Sequence, residues 1–198
     1  MKRRPFVIGI SGAVGSGKTW FANQLKDSIS KPVCIFTLDS YSKDEEYVNG
    51  LEFRYDNPLA IDYDKAYADL SKLLQGKTVH LPVYDYASHS VVSEITYDSP
   101  YVVIIEGLYA FWDKRFLDAM DFKIWIEADE KLCKERRINR DVKERGESFE
   151  ESMYRHINDS EPAYFKFYKV GRDLADRICL NNTTNAKNHI DILKNYIS

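Results

Sequence analysis

The sequence predicts an α/β fold, a mainly parallel sheet with helices on both faces. Two observations carry this. Short apolar or β-branched runs alternate with helical patterns along most of the chain, and such alternation builds parallel sheets through helical crossovers. The run at 101–105 (YVVII) has no charged position, which is the pattern of a strand buried on both faces.

The elements follow in order. Residues 6–10 (FVIGI) read as the first strand, ended by Ser11 and Gly12. A glycine-rich loop leads into a helix from residue 18 to about 29. Pro32 punctuates, and 33–38 (VCIFTL) reads as the second strand. Residues 39–58 are polar and aromatic without a clean period, and so long an irregular stretch is usually functional or mobile. Ala66, Leu70, Leu73 and Leu74 predict a helix over 61–74, stopped at Gly76. Two β-prone runs, 79–86 and 91–97, predict an antiparallel hairpin within about 77–98. A strand at 122–126 (FKIWI) follows. Helices are expected over 129–145, from about 149 to 168 and near 185–196, with a last strand at 175–180. No repeat or low-complexity linker interrupts the chain, so we expect one domain over 1–198.

Composition removes several classes of function. A hydrophobic share of 44% with 30% charged residues is ordinary for a globular domain. A formal net charge of -3 argues against a surface that coats nucleic acid. Cys34, Cys133 and Cys179 include no CxxC pair, so neither a disulfide framework nor a zinc site is expected, and a reducing cytoplasm fits. The N-terminal MKRRPFVIGISG places basic residues before an apolar stretch, but that stretch is too short for a signal peptide and glycines break it. No run approaches transmembrane length.

In open parallel sheets, ligands bind at the carboxyl ends of the strands. Polar residues just after the buried strands are therefore the chemical candidates. After the first strand, Gly12, Ala13, Val14, Gly15, Ser16, Gly17, Lys18 and Thr19 read GAVGSGKT and fit G-x-x-x-x-G-K-[ST]. Small residues let the backbone curl so that its N–H groups point at phosphate oxygens. The following helix adds its positive N-terminal end. Lys18 can reach the β- and γ-phosphates of ATP, and the Thr19 hydroxyl can ligate Mg²⁺. A glycine turn with an incidental Lys-Thr is the competing reading, but the strand before and the helix after supply the context of a P-loop. The fold class sharpens to a P-loop NTPase three-layer fold. GTPases, motors and small-molecule kinases all share that loop.

Two acids narrow the choice. Asp39 follows VCIFTL and Glu106 follows YVVII. If both strands flank the first, the acids converge near the γ-phosphate. A kinase needs one carboxylate to orient and deprotonate the attacking hydroxyl and another on the metal side. Asp39 suits the first role and Glu106 the second. Either acid alone reads as a solvated strand end; beside a P-loop the functional reading is stronger.

A set of motifs then points to a family. GISGAVGSGKT, LDSYS, YDNPLAID, LPVYDYASHS, VVIIEGLYAF, RRINRDVKERG, EPAYFKF and ADRI occur in this order. The sequence resembles the uridine kinase (uridine–cytidine kinase) branch of the phosphoribulokinase/uridine kinase group of P-loop kinases. The resemblance runs from Gly9 to about Ile178, and PVYDYASHS is its most discriminating part. It implies ATP-dependent phosphorylation of the 5′-hydroxyl of a pyrimidine nucleoside, in a homo-oligomer. It also implies residue roles. Asp39 matches the catalytic base, and Thr19 and Glu106 the metal side. Asp56 matches an acid on the ribose hydroxyls, while Tyr84, Tyr86 and His89 match residues around the base. Arg137 matches a substrate-binding arginine. His80, His156 and His189 read as ordinary surface or packing histidines.

Between Lys131 and Glu147 there are seven Lys or Arg against four Asp or Glu. The resemblance turns this charged helix into a closing lid, about 131–148, whose arginines neutralise the transferring phosphoryl group. Arg136 and Arg140 share a helical face, Arg137 and Arg140 can also converge, and Arg140 and Arg145 are the expected phosphate contacts. Ser42, Val91, Glu147, Arg155 and Leu180 depart from the family pattern, three of them (Ser42, Glu147, Arg155) near the expected acceptor pocket. Two further readings follow. One is a related kinase with another acceptor, such as nicotinamide riboside, pantothenate or a sugar phosphate. The other is a degenerate nucleotide-binding regulatory protein.

Overall fold

The computed structural model describes residues 3–197, so both ends of the expected 1–198 unit lie outside the described residues. The side chains of Thr183 and Thr184 also lie outside them. The elements are β1 (Phe6–Gly12), α1 (Lys18–Ser28), β2 (Val33–Thr37), α2 (Glu45–Asn49), α3 (Tyr63–Leu74), β3 (Val79–Asp85), β4 (Ser90–Tyr97) and β5 (Val102–Glu106). They continue with α4 (Lys114–Ala119), β6 (Phe122–Glu127), α5 (Glu130–Glu144), α6 (Phe149–Arg155), the one-turn α7 (Glu161–Ala163), β7 (Arg177–Leu180) and α8 (Thr183–Ile197).

Five parallel strands form the central sheet in the order β2-β5-β1-β6-β7. The strands alternate their side chains between two apolar layers. Val7, Phe36, Val103 and Ile105 pack with Leu70 and Leu73 of α3 and Phe116 of α4 on one face. Ile8, Ile10, Val102, Ile104 and Ile126 pack with Phe21 and Leu25 of α1 and with Ile190 and Leu193 of α8 on the other. All five residues of β5 are buried, as its unbroken apolar run requires. β3 and β4 form a separate antiparallel hairpin, with a register shift between Val83 and Tyr84.

The structure corrects several expectations. β2 does not flank β1; β5 lies between them. The two acids still approach, because Thr37 is in register with Glu106 and Asp39 lies just beyond. The stretch 39–58 carries short pieces of structure between bends and turns: 3₁₀ turns at Leu38–Tyr41 and Arg54–Asp56, another beginning at Pro58, and α2. Pieces this short show no period in a sequence. The six-residue α4, capped by Asp113, was missed for the same reason. The helix expected from about 149 to 168 is continuous in extent, but its ladder is not purely α-helical. π-helical turns at His156–Ser160 and Tyr164–Tyr168 flank α7. The first lies just before Pro162, whose missing N–H and ring disturb a regular ladder.

Candidate active site

The GAVGSGKT segment joins β1 to α1 at the carboxyl end of the sheet. Gly17 has φ 95°, and a Cβ there would sit 2.1 Å from Asn181 Nδ2, so only glycine fits. The same Asn181 amide donates to the Ser16 carbonyl at 2.5 Å, tying the loop to the segment after β7. Lys18 Nζ donates to the Gly12 and Ala13 carbonyls, both at 3.0 Å. Ser16 Oγ is buried and has no hydrogen-bond partner among the described residues. An unpaired hydroxyl and a loop of small residues around an ammonium suit a phosphate chain.

Thr19 Oγ1, on the first turn of α1, donates to Glu106 Oε2 at 3.2 Å. Burial pushes the Glu106 pKa up to about 7; the Asp39 charge adds to this and Lys18 opposes it. Burial lowers the Lys18 pKa against the pull of Glu106 and Asp39. Two carboxylates thus share one buried ammonium, a donor set short of positive charge. Mg²⁺ in such sites takes one or two carboxylates, phosphate oxygens and waters, so Thr19 and Glu106 fit it. Among the described residues no group of three His, Cys, Asp or Glu is placed to hold a metal alone.

Asp39 connects this end to the aromatic end. Tyr86, at the tip of the hairpin, donates its hydroxyl to Asp39 Oδ2 at 3.3 Å. Burial, Asp39 and Glu106 all raise the Tyr86 pKa, so its hydroxyl remains a donor. Tyr84 meets the Tyr86 ring edge-on at 5.4 Å, and His89 stacks on Tyr55 at 5.0 Å. Asp56 is buried, accepts from Ser160 Oγ at 2.5 Å and lies 3.6 Å from Arg137 Nη2. One cleft of ≈ 870 Å³ contains Lys18, Thr19, Asp39, Tyr86, Asp56 and His89 in its lining.

Asp141 organises the arginines of α5. Its buried carboxylate takes Arg137 Nε at 3.3 Å, Arg140 Nη2 at 2.9 Å and Arg145 Nη1 at 3.2 Å, and Ser152 Oγ donates to it at 3.3 Å. Arg145 also lies over the Tyr86 ring, 4.3 Å from its centre. Burial works against the Asp141 charge, but Arg140 and Arg145 outweigh it and hold its pKa below the usual value. A depressed carboxyl contributes stability above its unfolded pKa and loses it as pH falls through the folded one. Asp141→Asn is expected to lower stability at pH 7 by about 3 kcal/mol, the low end for breaking a buried pair, since Arg140 is still 34% exposed. Urea unfolding should show the gap from the unaltered chain narrowing below about pH 4. An unchanged gap at low pH would contradict the electrostatic origin.

The cleft gathers most of the residues singled out in the sequence. Val14, Gly15, Gly17, Lys18, Thr19, Asp39, Asp56, Tyr84, Tyr86, His89, Glu106, Arg137, Arg140 and Arg145 line it; Gly12, Ala13 and Ser16 shape the loop without lining the cleft. Arg136 and Arg140 line it together, as their shared face predicts. Three departures, Ser42, Glu147 and Arg155, also line it, whereas Val91 and Leu180 are exposed outside it. Asp141, Tyr55 and Ser160 were missed. Spacing could have found Asp141, which stands four residues after Arg137 and four before Arg145. Tyr55 had a weaker signal, its place beside Asp56. Ser160 had none.

A phosphate-loop strand and helix, a parallel sheet of this order and acids at two adjacent strand ends define a P-loop kinase fold. The chain belongs to the phosphoribulokinase/uridine kinase family, whose model matches residues 7–186. Its relatives include the uridine kinase of Streptococcus uberis, 33% identical over 190 residues that cover 93% of this chain and 90% of that one. The uridine kinase of Staphylococcus aureus is 37% identical over 193 residues, 94% of this chain and 92% of that one. The solved phosphoribulokinase of Rhodobacter spheroides superposes with a TM-score of 0.63, over 94% of this chain and 74% of that one, at 16% identity. That last likeness concerns the fold alone.

Proposed function

We propose that this chain is a uridine kinase, transferring the γ-phosphoryl group of ATP to the 5′-hydroxyl of uridine or cytidine. The observation that carries this reading is one cleft in which Asp39 links the phosphate loop to a pocket walled by Tyr84, Tyr86 and the Tyr55–His89 stack. The family of the chain and its uridine kinase relatives support the same acceptor.

Asp39 accepts the proton of the attacking hydroxyl as that oxygen bonds to phosphorus and the bond to ADP breaks. The backbone of residues 12–18 and the Lys18 ammonium hold the phosphates. Thr19 and Glu106 would hold Mg²⁺, which would offset negative charge on the phosphates. Arg140 and Arg145 offset charge on the moving phosphoryl group. Asp56, oriented by Arg137 and Ser160, accepts hydrogen bonds from the ribose hydroxyls, and aromatic faces hold the base. A cytoplasmic setting is supported by three free, buried cysteines. Val91 and Val92, exposed on β4 outside the cleft, support assembly into a homo-oligomer.

ADP release measured over a panel of nucleosides, pantothenate and a sugar phosphate tests the assignment. Turnover should be fastest with uridine or cytidine. ATP binding without turnover on any member would support a regulatory protein instead.

A further inference from the structure

Two residues that depart from the family pattern face each other across the cleft wall. Arg145 caps the end of α5, and Gly146 turns the chain with φ 72°. The N–H groups of Arg145 and Glu147 both return to the Asp141 carbonyl, at 3.2 Å each. Ser148 then opens α6 with a capping box to Glu151. Glu147 is therefore fixed between a glycine stop and a capped start, the one residue between two locked turns. Its Oε1 accepts from Arg155 Nη1, two turns along the following helix.

The other oxygen, Oε2, is buried and has no hydrogen-bond partner among the described residues, although the residue lines the cleft. A carboxylate oxygen can only accept, and leaving it unpaired in a buried position is costlier than leaving a neutral group so. The charges around it are balanced. Arg54, Arg137 and Arg155 stand with Asp56, Glu147 and Asp159 in the lining. Arg137 is committed to Asp56 and Asp141, and Arg155 to Glu147. Burial and Asp56 raise the Asp159 pKa, with Arg155, Arg54 and Arg137 opposing, so these groups feel one another. Arg54 Nε and Arg137 Nη1 keep no hydrogen-bond partner among the described residues, so it is the fixed negative charge of Glu147 itself, and not a want of cations, that opposes a phosphate at this point of the wall.

We propose that Glu147 is a specificity residue: clamped by Arg155, it accepts a hydrogen bond at Oε2 from a hydroxyl or amine of a neutral acceptor and disfavours acceptors that carry a phosphate. The proposal rests on reading this cleft as the acceptor site. It accounts for the two departures together, since Glu147 and Arg155 form one ion pair. Arg155, held in that pair, is not free to bind a phosphate carried by the acceptor.

The test compares kcat and KM for uridine, at saturating Mg-ATP, in the unaltered protein, in Glu147→Gln and in the double swap Glu147→Arg with Arg155→Glu. Glu147→Gln should raise the uridine KM about tenfold, because a charge-assisted hydrogen bond gives way to a weaker one on a neutral amide oxygen, with kcat changed less than about threefold and Tm retained. The double swap restores the ion pair but not the acceptor, so its KM should stay raised. Recovery of the uridine KM in the swap would make the pair merely structural and overturn the proposal. An unchanged KM in Glu147→Gln would overturn it equally, whether or not the swap folds. Absence of nucleoside turnover in the unaltered protein would instead strike the proposed function. Faster turnover of ribose 5-phosphate than of uridine would overturn both.

Discussion

Asp39→Asn is expected to lower kcat on the order of 10³-fold, within the range for loss of a positioned general base, while ATP binding survives. The variant keeps the shape of the side chain and can still meet the Tyr86 hydroxyl. It loses the site that takes the proton. It also removes one of the charges that raise the Glu106 pKa, so the pKa of that carboxyl, about 7 in the unaltered protein, should fall. Steady-state rates combined with ATP titration check both halves. Near-normal turnover in Asp39→Asn would remove Asp39 as the base, and loss of ATP binding would make its role structural.

Arg140→Ala should lower kcat on the order of 10²-fold, in line with loss of one electrostatic contact to a charged transition state, with little change in Tm. The reason lies in the shared anchor. Asp141 keeps Arg137 and Arg145 when Arg140 is removed, so no buried carboxylate is left unpaired. Asp141→Asn should lower Tm as well as kcat, since it releases three arginines at once and removes the Ser152 contact between α5 and α6. A fall in Tm for Arg140→Ala comparable to that of Asp141→Asn would mean that Arg140 serves the fold rather than the reaction. Unchanged kcat would remove it from the mechanism.

The parts of this site that were legible in the sequence are those built from neighbouring residues. GAVGSGKT carries its own geometry, because the strand, turn and helix that it needs are contiguous. Asp39 and Glu106 were legible as strand ends, but their approach depended on the sheet order, and the order was not the expected one. It survived the error because β5 sits between β1 and β2 with Glu106 in register with Thr37. Contacts between distant segments were not legible. The stack of Tyr55 on His89 joins a 3₁₀ turn to the hairpin loop, and Ser160, the last residue of a π-helical turn, reaches Asp56 across more than a hundred residues of sequence. Glu147 and Arg155 were each visible as a departure, yet their meaning lies in the pair, which a reading of single positions does not supply. The helix over 129–145 was legible as a charged face; that its arginines converge on Asp141 was written in the spacing and went unread.

The central claim is that phosphate loop, Asp39 and aromatic pocket act together on one nucleoside. Its most direct test is product analysis after incubating the purified protein with uridine and Mg-ATP, in parallel with Asp39→Asn. The account predicts uridine 5′-monophosphate and ADP in equal amounts from the unaltered protein, and almost none from the variant. ADP formed without a phosphorylated nucleoside, or the same yield of product from Asp39→Asn, would contradict it.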